Sequence, residues 1–224
     1  MGEKSKKRGE FGEKVVEELL ALIGWKPFIM GRDIECINPI EHSISTKERK
    51  DHGVDFTYQY DCPFFSNRQQ FVLISAKYTD NYPSNPNSTF KSHIKDIAFA
   101  LECFKKSSLR NELKMFGKDD EYTGVIFWLD NGKKCQFDDV IERLANLKID
   151  NNLELLNSIY LVDNKRAKFL YDTMNFAKSY FKKNEEDRIE FLIPNTGYNS
   201  TLETRKTSNI VLPVQYINSS ILPL

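Results

Sequence analysis

The chain has no excess of either charge: 32 Lys and Arg stand against 32 Asp and Glu in 224 residues. A uniformly basic nucleic-acid-binding surface is therefore not expected, and any contact with a phosphate backbone must come from local clusters of Lys and Arg. Cysteine and histidine are scarce. Cys36, Cys62, Cys103 and Cys135 are far apart, none forms a CxxC pair, and His42, His52 and His93 do not cluster with them in the sequence. A zinc site is not expected from that pattern, and the cysteines read as small packing residues of a reduced protein. No apolar run reaches the roughly 18 residues of a membrane span, and no secretory core follows the polar start. A soluble, cytoplasmic protein without membrane contact is expected. Neither GxxxxGK[ST] nor GxGxxG occurs, which removes the phosphate-binding glycine loops of nucleotide-binding α/β proteins. There is no internal repeat and no low-complexity tract.

What is present suits one substantial globular domain: 40% hydrophobic and 29% charged residues. Val15, Val16, Leu19, Leu20 and Ile23 recur at helical spacing, which predicts a helix over 10–24 closed by Gly24. Residues 1–9 carry Lys4, Lys6, Lys7 and Arg8 and read as a flexible basic tail, either solvated or touching a nucleic-acid backbone. Trp25, Phe28 and Ile29 form a short apolar stretch compatible with a strand, and 41–52 reads as a polar loop. Over 53–60, Val54, Phe56, Tyr58 and Tyr60 alternate with Asp55, Thr57 and Gln59, as on a strand. Residues 61–70 read as a turn. The run Phe71-Val72-Leu73-Ile74-Ser75-Ala76-Lys77-Tyr78 is that of a central strand. Asn81 to Ser88 breaks regular structure. A second amphipathic helix is predicted over 90–106, a buried strand over 123–129, a helix over 136–147, a strand over 158–163, a helix over 164–182 and a short strand over 189–193. The last thirty residues show little periodicity. The order of elements predicts an α/β domain with a mixed β-sheet flanked by helices.

Two strands and one helix bring chemistry. Asp55 opens one strand, while Ser75 and Lys77, two apart, project from one face of the next. Glu13 lies on the first helix. Carboxylates supply the hard oxygen ligands that Mg²⁺ prefers, and such a cation lowers the pKa of an attacking water and neutralises developing charge. A lysine nearby positions that water or stabilises the transition state of phosphodiester hydrolysis.

In this pattern the chain resembles the PD-(D/E)XK (restriction-endonuclease-like) nuclease superfamily. Gly12-Glu13-Lys14-Val15-Val16-Glu17-Glu18-Leu19-Leu20 with Gly24-Trp25 looks like its first helix. Gly53-Val54-Asp55 looks like its "PD" strand, and Ser75-Ala76-Lys77 like its (D/E)XK, with serine in place of the acid. The Gly-Val-Asp-Phe and Ile-Ser-Ala-Lys-Tyr strands are similar to those of nuclease subunits of bacterial antiphage defence systems. The resemblance implies an αβββαβ core over 10–130 with a C-terminal α/β extension, a nuclease-like domain over 10–195 and an irregular segment over 196–224. It implies metal-dependent cleavage of DNA, with Mg²⁺ (or Mn²⁺) held by Glu13 and Asp55, Glu17 as the alternate of Glu13, and Lys77 and Ser75 completing the catalytic set. It also implies a partner protein from a defence operon and a homodimer that cuts both strands.

Each residue has a plainer reading. Asp55 beside Gly53 suits a turn, Lys77 a snorkelling strand end, Glu13 the polar side of a helix, and Ser75 close packing. His52 is a candidate phosphate contact or an inert loop histidine. Lys91, His93 and Lys95 are either a solvated face or phosphate contacts near a helix N-terminus. Tyr78, Tyr82 and Phe90 either stack on bases or pack. Serine at the acidic position also leaves open a catalytically degenerate subunit that binds DNA or a partner, and an unrelated interaction protein.

Overall fold

The computed structural model describes residues 3–43, 47–65, 67–132, 140–149, 157–181, 189–193 and 208–224. Helix α1 (Glu3–Leu22) leads into β1 (Ile29–Glu35), β2 (Asp51–Asp61) and β3 (Arg68–Thr79). Helix α2 (Asn87–Phe104) and the short α3 (Ser108–Leu113) cross over to β4 (Asp119–Asp130). Then come α4 (Val140–Leu144), β5 (Ser158–Val162) and α5 (Asn164–Phe181), a small pair β6 (Phe191–Leu192) and β7 (Ser208–Asn209), and a 3₁₀ turn at Val214–Tyr216.

The sheet runs β1-β2-β3-β4-β5. β1, β2 and β3 are antiparallel neighbours, whereas β4 lies parallel to β3 and β5 parallel to β4. Parallel neighbours need a crossover, and α2 supplies the one from β3 to β4. One face of the sheet is covered by α1 and α5. There Val16, Leu19, Leu20 and Ile23 pack with Phe56, Tyr58, Val72, Ile74, Val125 and Phe127. Burial of each such aliphatic side chain contributes roughly 1.5–3 kcal/mol. The other face is covered by α2, whose Ala100, Leu101, Cys103 and Phe104 meet Phe71 and Leu73. β4 is buried on both faces, which is why Val125 to Leu129 reads as a continuous apolar run.

Two expectations need correction, and the last segment has more contacts than its irregularity suggests. Residues 3–9 are helical: α1 starts at Glu3, and Arg8 ion-pairs with Asp80 at 2.6 Å rather than trailing in solvent. Regular alternation also fails within β2. Val54 packs on the α2 side with Ile34 and Cys36, whereas Phe56 packs on the α1 side. The break falls at Asp55, opposite the stretch of β1 where Gly31 takes φ 56°, a left-handed conformation open to glycine. Within the segment 196–224, expected to be irregular, residues 208–224 carry only β7 and the 3₁₀ turn as regular structure, yet they pack into the domain. Leu212, Val214 and Ile217 belong to the α1-side core, and the Trp25 indole N–H donates to the Leu212 carbonyl at 2.7 Å. Residues 196–207, Cys135, and residues 136–139 of the helix expected over 136–147 lie outside the described residues.

Candidate active site

Glu13, Asp55, Ser75 and Lys77 are each half-buried, and the fold brings them together. The regular β2–β3 ladder runs from Asp61–Gln69 to Phe56–Ile74. Beyond it the Asp55 carboxylate takes over the role of a backbone partner: Oδ2 accepts the Ala76 N–H at 2.6 Å and the Ser75 hydroxyl at 3.3 Å. A charged acceptor makes these bonds stronger than neutral ones. Asp55 is thereby fixed at the point where β2 and β3 part, beside the strand that carries Lys77.

Glu13 arrives from α1. A Cβ at Gly12 would lie 2.5 Å from Tyr78 Cβ, so only a residue without a side chain lets α1 sit this close to β3. Phe11 completes the contact by packing edge-on against Tyr78, with ring centroids 5.6 Å apart. The Glu13 carboxyl has its pKa raised, first by burial, then by the negative charges of Asp55 and Glu10, while Lys77 pulls it down. Glu13 therefore feels the charges of both Asp55 and Lys77. Glu10, rather than the alternate Glu17, is the further acid coupled to Glu13.

The expected nucleic-acid contacts separate. His93 lies on α2 beside Lys77, packed edge-on against Trp128 at 5.2 Å. Burial, and then the Lys77 charge, lower its imidazole to about 4, so it is neutral at pH 7. Lys91 is half-buried and Lys95 exposed on the same helix, the latter 5.4 Å from the Phe99 ring centroid. His52 is fully buried in β2, which removes it from any surface that a phosphate could reach. Its imidazole is lowered to about 4 by burial, then by Arg49 and His42. Tyr82 and Phe90 both pack on Trp128.

Sequence reasoning missed one constellation. Cys36, His42, His52 and Cys103 are all buried, and one ligand atom from each lies within 4.8 Å of all the others. Their spacing follows no recognised motif, because the four come from the β1–β2 connection, β2 and α2.

The order of elements and the mixed five-stranded sheet with helices on both faces are those of a PD-(D/E)XK nuclease fold. Residues 1–166 match the family model described as the GAPS4 protein PD-(D/E)XK nuclease domain, and the chain belongs to that family, one of antiphage defence nucleases. No curated protein and no solved structure matches it. No helix among the described residues is long and apolar enough to cross a membrane.

Proposed function

We propose that this nuclease is a metal-dependent endonuclease that hydrolyses phosphodiester bonds of DNA. The observation that carries the reading is the convergence of α1, β2 and β3, where the Glu13 carboxyl feels both the negative charge of Asp55 and the positive charge of Lys77. Two half-buried carboxylates that repel one another favour a bound cation, and their oxygens are the hard donors that Mg²⁺ or Mn²⁺ takes. Glu13 and Asp55 are the residues that would hold it. The ion, when bound, supplies charge neutralisation and an acidified water.

The chain's own residues do the rest. The bonds from Ala76 and Ser75 hold Asp55 by Oδ2, so Oδ1 is the oxygen left for the cation. Ser75 acts as a positioning residue for Asp55 in place of a third acid. Lys77 brings positive charge to the same place, where it orients the attacking water or stabilises the charge that builds on the phosphoryl oxygens. His93, neutral and next to Lys77, offers a hydrogen-bond donor to a phosphate without adding charge. Lys91 and Lys95, one turn apart on α2 and on a different face from His93, are the cations of that helix that would meet the backbone of a duplex. A partner protein from the same defence system would restrain the activity, and two copies would serve two strands.

The test is cleavage of plasmid DNA by the purified chain with Mg²⁺ or Mn²⁺, beside Lys77→Ala. Metal-dependent nicking that disappears in the variant is the expected result. Cleavage unchanged by the substitution overturns the placement of the site. Binding of DNA without cleavage, in the presence of the defence partner, would favour the degenerate-subunit reading that serine at position 75 leaves open.

A further inference from the structure

Cys36 directly follows β1, His42 lies in the β1–β2 connection, His52 is the second residue of β2, and Cys103 sits in the last turn of α2. Their relative exposures are 6%, 1%, 0% and 0%. His42 Nδ1 is 3.4 Å from Cys36 Sγ, 3.4 Å from Cys103 Sγ and 3.3 Å from His52 Nε2, and His52 Nε2 is 3.3 Å from Cys103 Sγ. Hydrogen bonds alone do not account for this packing. An imidazole nitrogen carries either one proton or one lone pair, so at most one of the three contacts at His42 Nδ1 is a hydrogen bond. A cation at the centre satisfies all four atoms at once. Zinc bond lengths of about 2.0–2.3 Å in a tetrahedron place neighbouring ligand atoms roughly 3.3–3.8 Å apart, and the four separations fall at the lower end of that range.

We propose that these four side chains hold a structural zinc ion. The surroundings are those of a metal site. His42 turns its other nitrogen, Nε2, to the Glu102 carboxylate at 3.3 Å, and Glu102 is itself held by the Asn38 amide at 2.8 Å. A carboxylate behind a histidine fixes the tautomer that aims Nδ1 inward. The Ile37 N–H points at Cys103 Sγ from 3.4 Å, a donor suited to a thiolate. Phe99 stacks on the His42 ring at 4.0 Å and closes that side. Binding would release the two thiol protons to solvent, and two thiolates balance a divalent ion, so the buried site carries no net charge. Two sulfur and two nitrogen donors select zinc over Mg²⁺ or Ca²⁺. Four protein ligands around one point leave neither an open position for catalysis nor room for an iron–sulfur cluster. The ion would clamp the β1–β2 connection to α2 and anchor β2 three residues before Asp55.

The test is metal analysis of the full chain, expressed with zinc and dialysed, by plasma mass spectrometry. About one zinc per chain is expected in the wild type, the same in Asp55→Asn and Cys62→Ser, and none in Cys103→Ser. Retention in Asp55→Asn separates this ion from any bound at the nuclease site. Should Cys103→Ser be insoluble, cobalt substitution of the wild type decides: thiolate-to-cobalt charge transfer with strong tetrahedral d–d bands is expected. A wild-type chain that binds no zinc, shows no such spectrum with cobalt and keeps its melting temperature in a strong chelator overturns the proposal. Zinc retained by a folded Cys103→Ser overturns it equally.

Discussion

At the scale of the residue, Asp55 accepts bonds from β3 and, in the proposed site, would also supply charge to a cation, and different substitutions separate the two. Asp55→Asn keeps an oxygen for the Ala76 N–H and removes the charge, whereas Asp55→Ala also strands a half-buried N–H at a cost of about 1–3 kcal/mol. Asp55→Asn is therefore expected to melt near the wild type while losing cleavage. Lys77→Ala should lower the cleavage rate by about 10²–10³-fold, the effect of removing one group that stabilises developing charge. Ser75 makes a single 3.3 Å bond to Asp55, so Ser75→Ala should cost no more than about tenfold, in line with roughly 0.5–1.5 kcal/mol for one hydrogen bond. A loss from Ser75→Ala as large as that from Lys77→Ala would make the hydroxyl a direct participant. His93 gives a pH signature. Its folded pKa of about 4 lies below the ordinary 6.5, so between those values the unfolded chain binds the proton and the folded chain does not. Stability should fall as pH falls through that window and level off below it, by at most about 1.4 kcal/mol per pH unit for one proton. Urea titrations across the window should show a shallower slope in His93→Gln. Equal slopes in the two proteins would remove His93 from the account.

At the scale of the element, the site depends on how closely α1 lies on β3. Gly12→Ala improves helix propensity by about 1 kcal/mol, but its Cβ would sit 2.5 Å from Tyr78 Cβ. Overpacking of that kind costs about 1–3 kcal/mol. The two nearly offset in stability, yet α1 must shift, and Glu13 shifts with it. A displacement near 1 Å from reacting groups costs on the order of 10²-fold in rate. The expected outcome is a melting temperature close to wild type with a marked loss of cleavage, and Gly12→Ala with full activity would show that α1 tolerates the methyl group. The elements themselves were legible because each had a strong period or an unbroken apolar run: α1, the central β3 and β4, α2 and α5. The proposed site residues stand out in the sequence for a related reason, since Ser75 and Lys77 share one strand and Asp55 sits between Val54 and Phe56. The switch of faces at Asp55 was not, because it depends on Gly31 across the sheet. Nor was α3, six residues long, too short to show a period. The cluster of Cys36, His42, His52 and Cys103 was hidden because successive members are separated by five, nine and 50 residues, and only the docking of α2 on β2 closes it.

At the scale of the whole molecule, the family match ends at residue 166 but the core does not. Leu170, Met174, Phe191, Leu212, Val214 and Ile217 fill the same cluster as Leu20, Phe56 and Ile74. The last segment is bonded as well as packed. The Leu212 N–H donates to the Ile23 carbonyl at 3.0 Å, the Val214 N–H to the Tyr60 hydroxyl at 2.8 Å, and Arg166 to the carbonyls of Tyr216 and Ile217. These contacts reach the loop that follows α1, so the segment helps to hold the helix that carries Glu13. Truncating one fully buried aliphatic side chain costs about 2–5 kcal/mol, and a domain has only about 5–15 kcal/mol in all. A chain ending at 207 loses Leu212, Val214 and Ile217 together, a loss comparable to all the stability such a domain has. It should be insoluble or lack a cooperative thermal transition. Leu212→Ala should remain folded but weaker by about 2–5 kcal/mol, whereas Ile221→Ala, at a side chain 75% exposed, should stay within about 0.5 kcal/mol. Calorimetry of the three proteins checks the ordering. A shortened chain that melts cooperatively at the wild-type temperature would mean that the α1 side of the sheet closes without this segment, and Glu13 would then owe its position to the packing of α1 on β3.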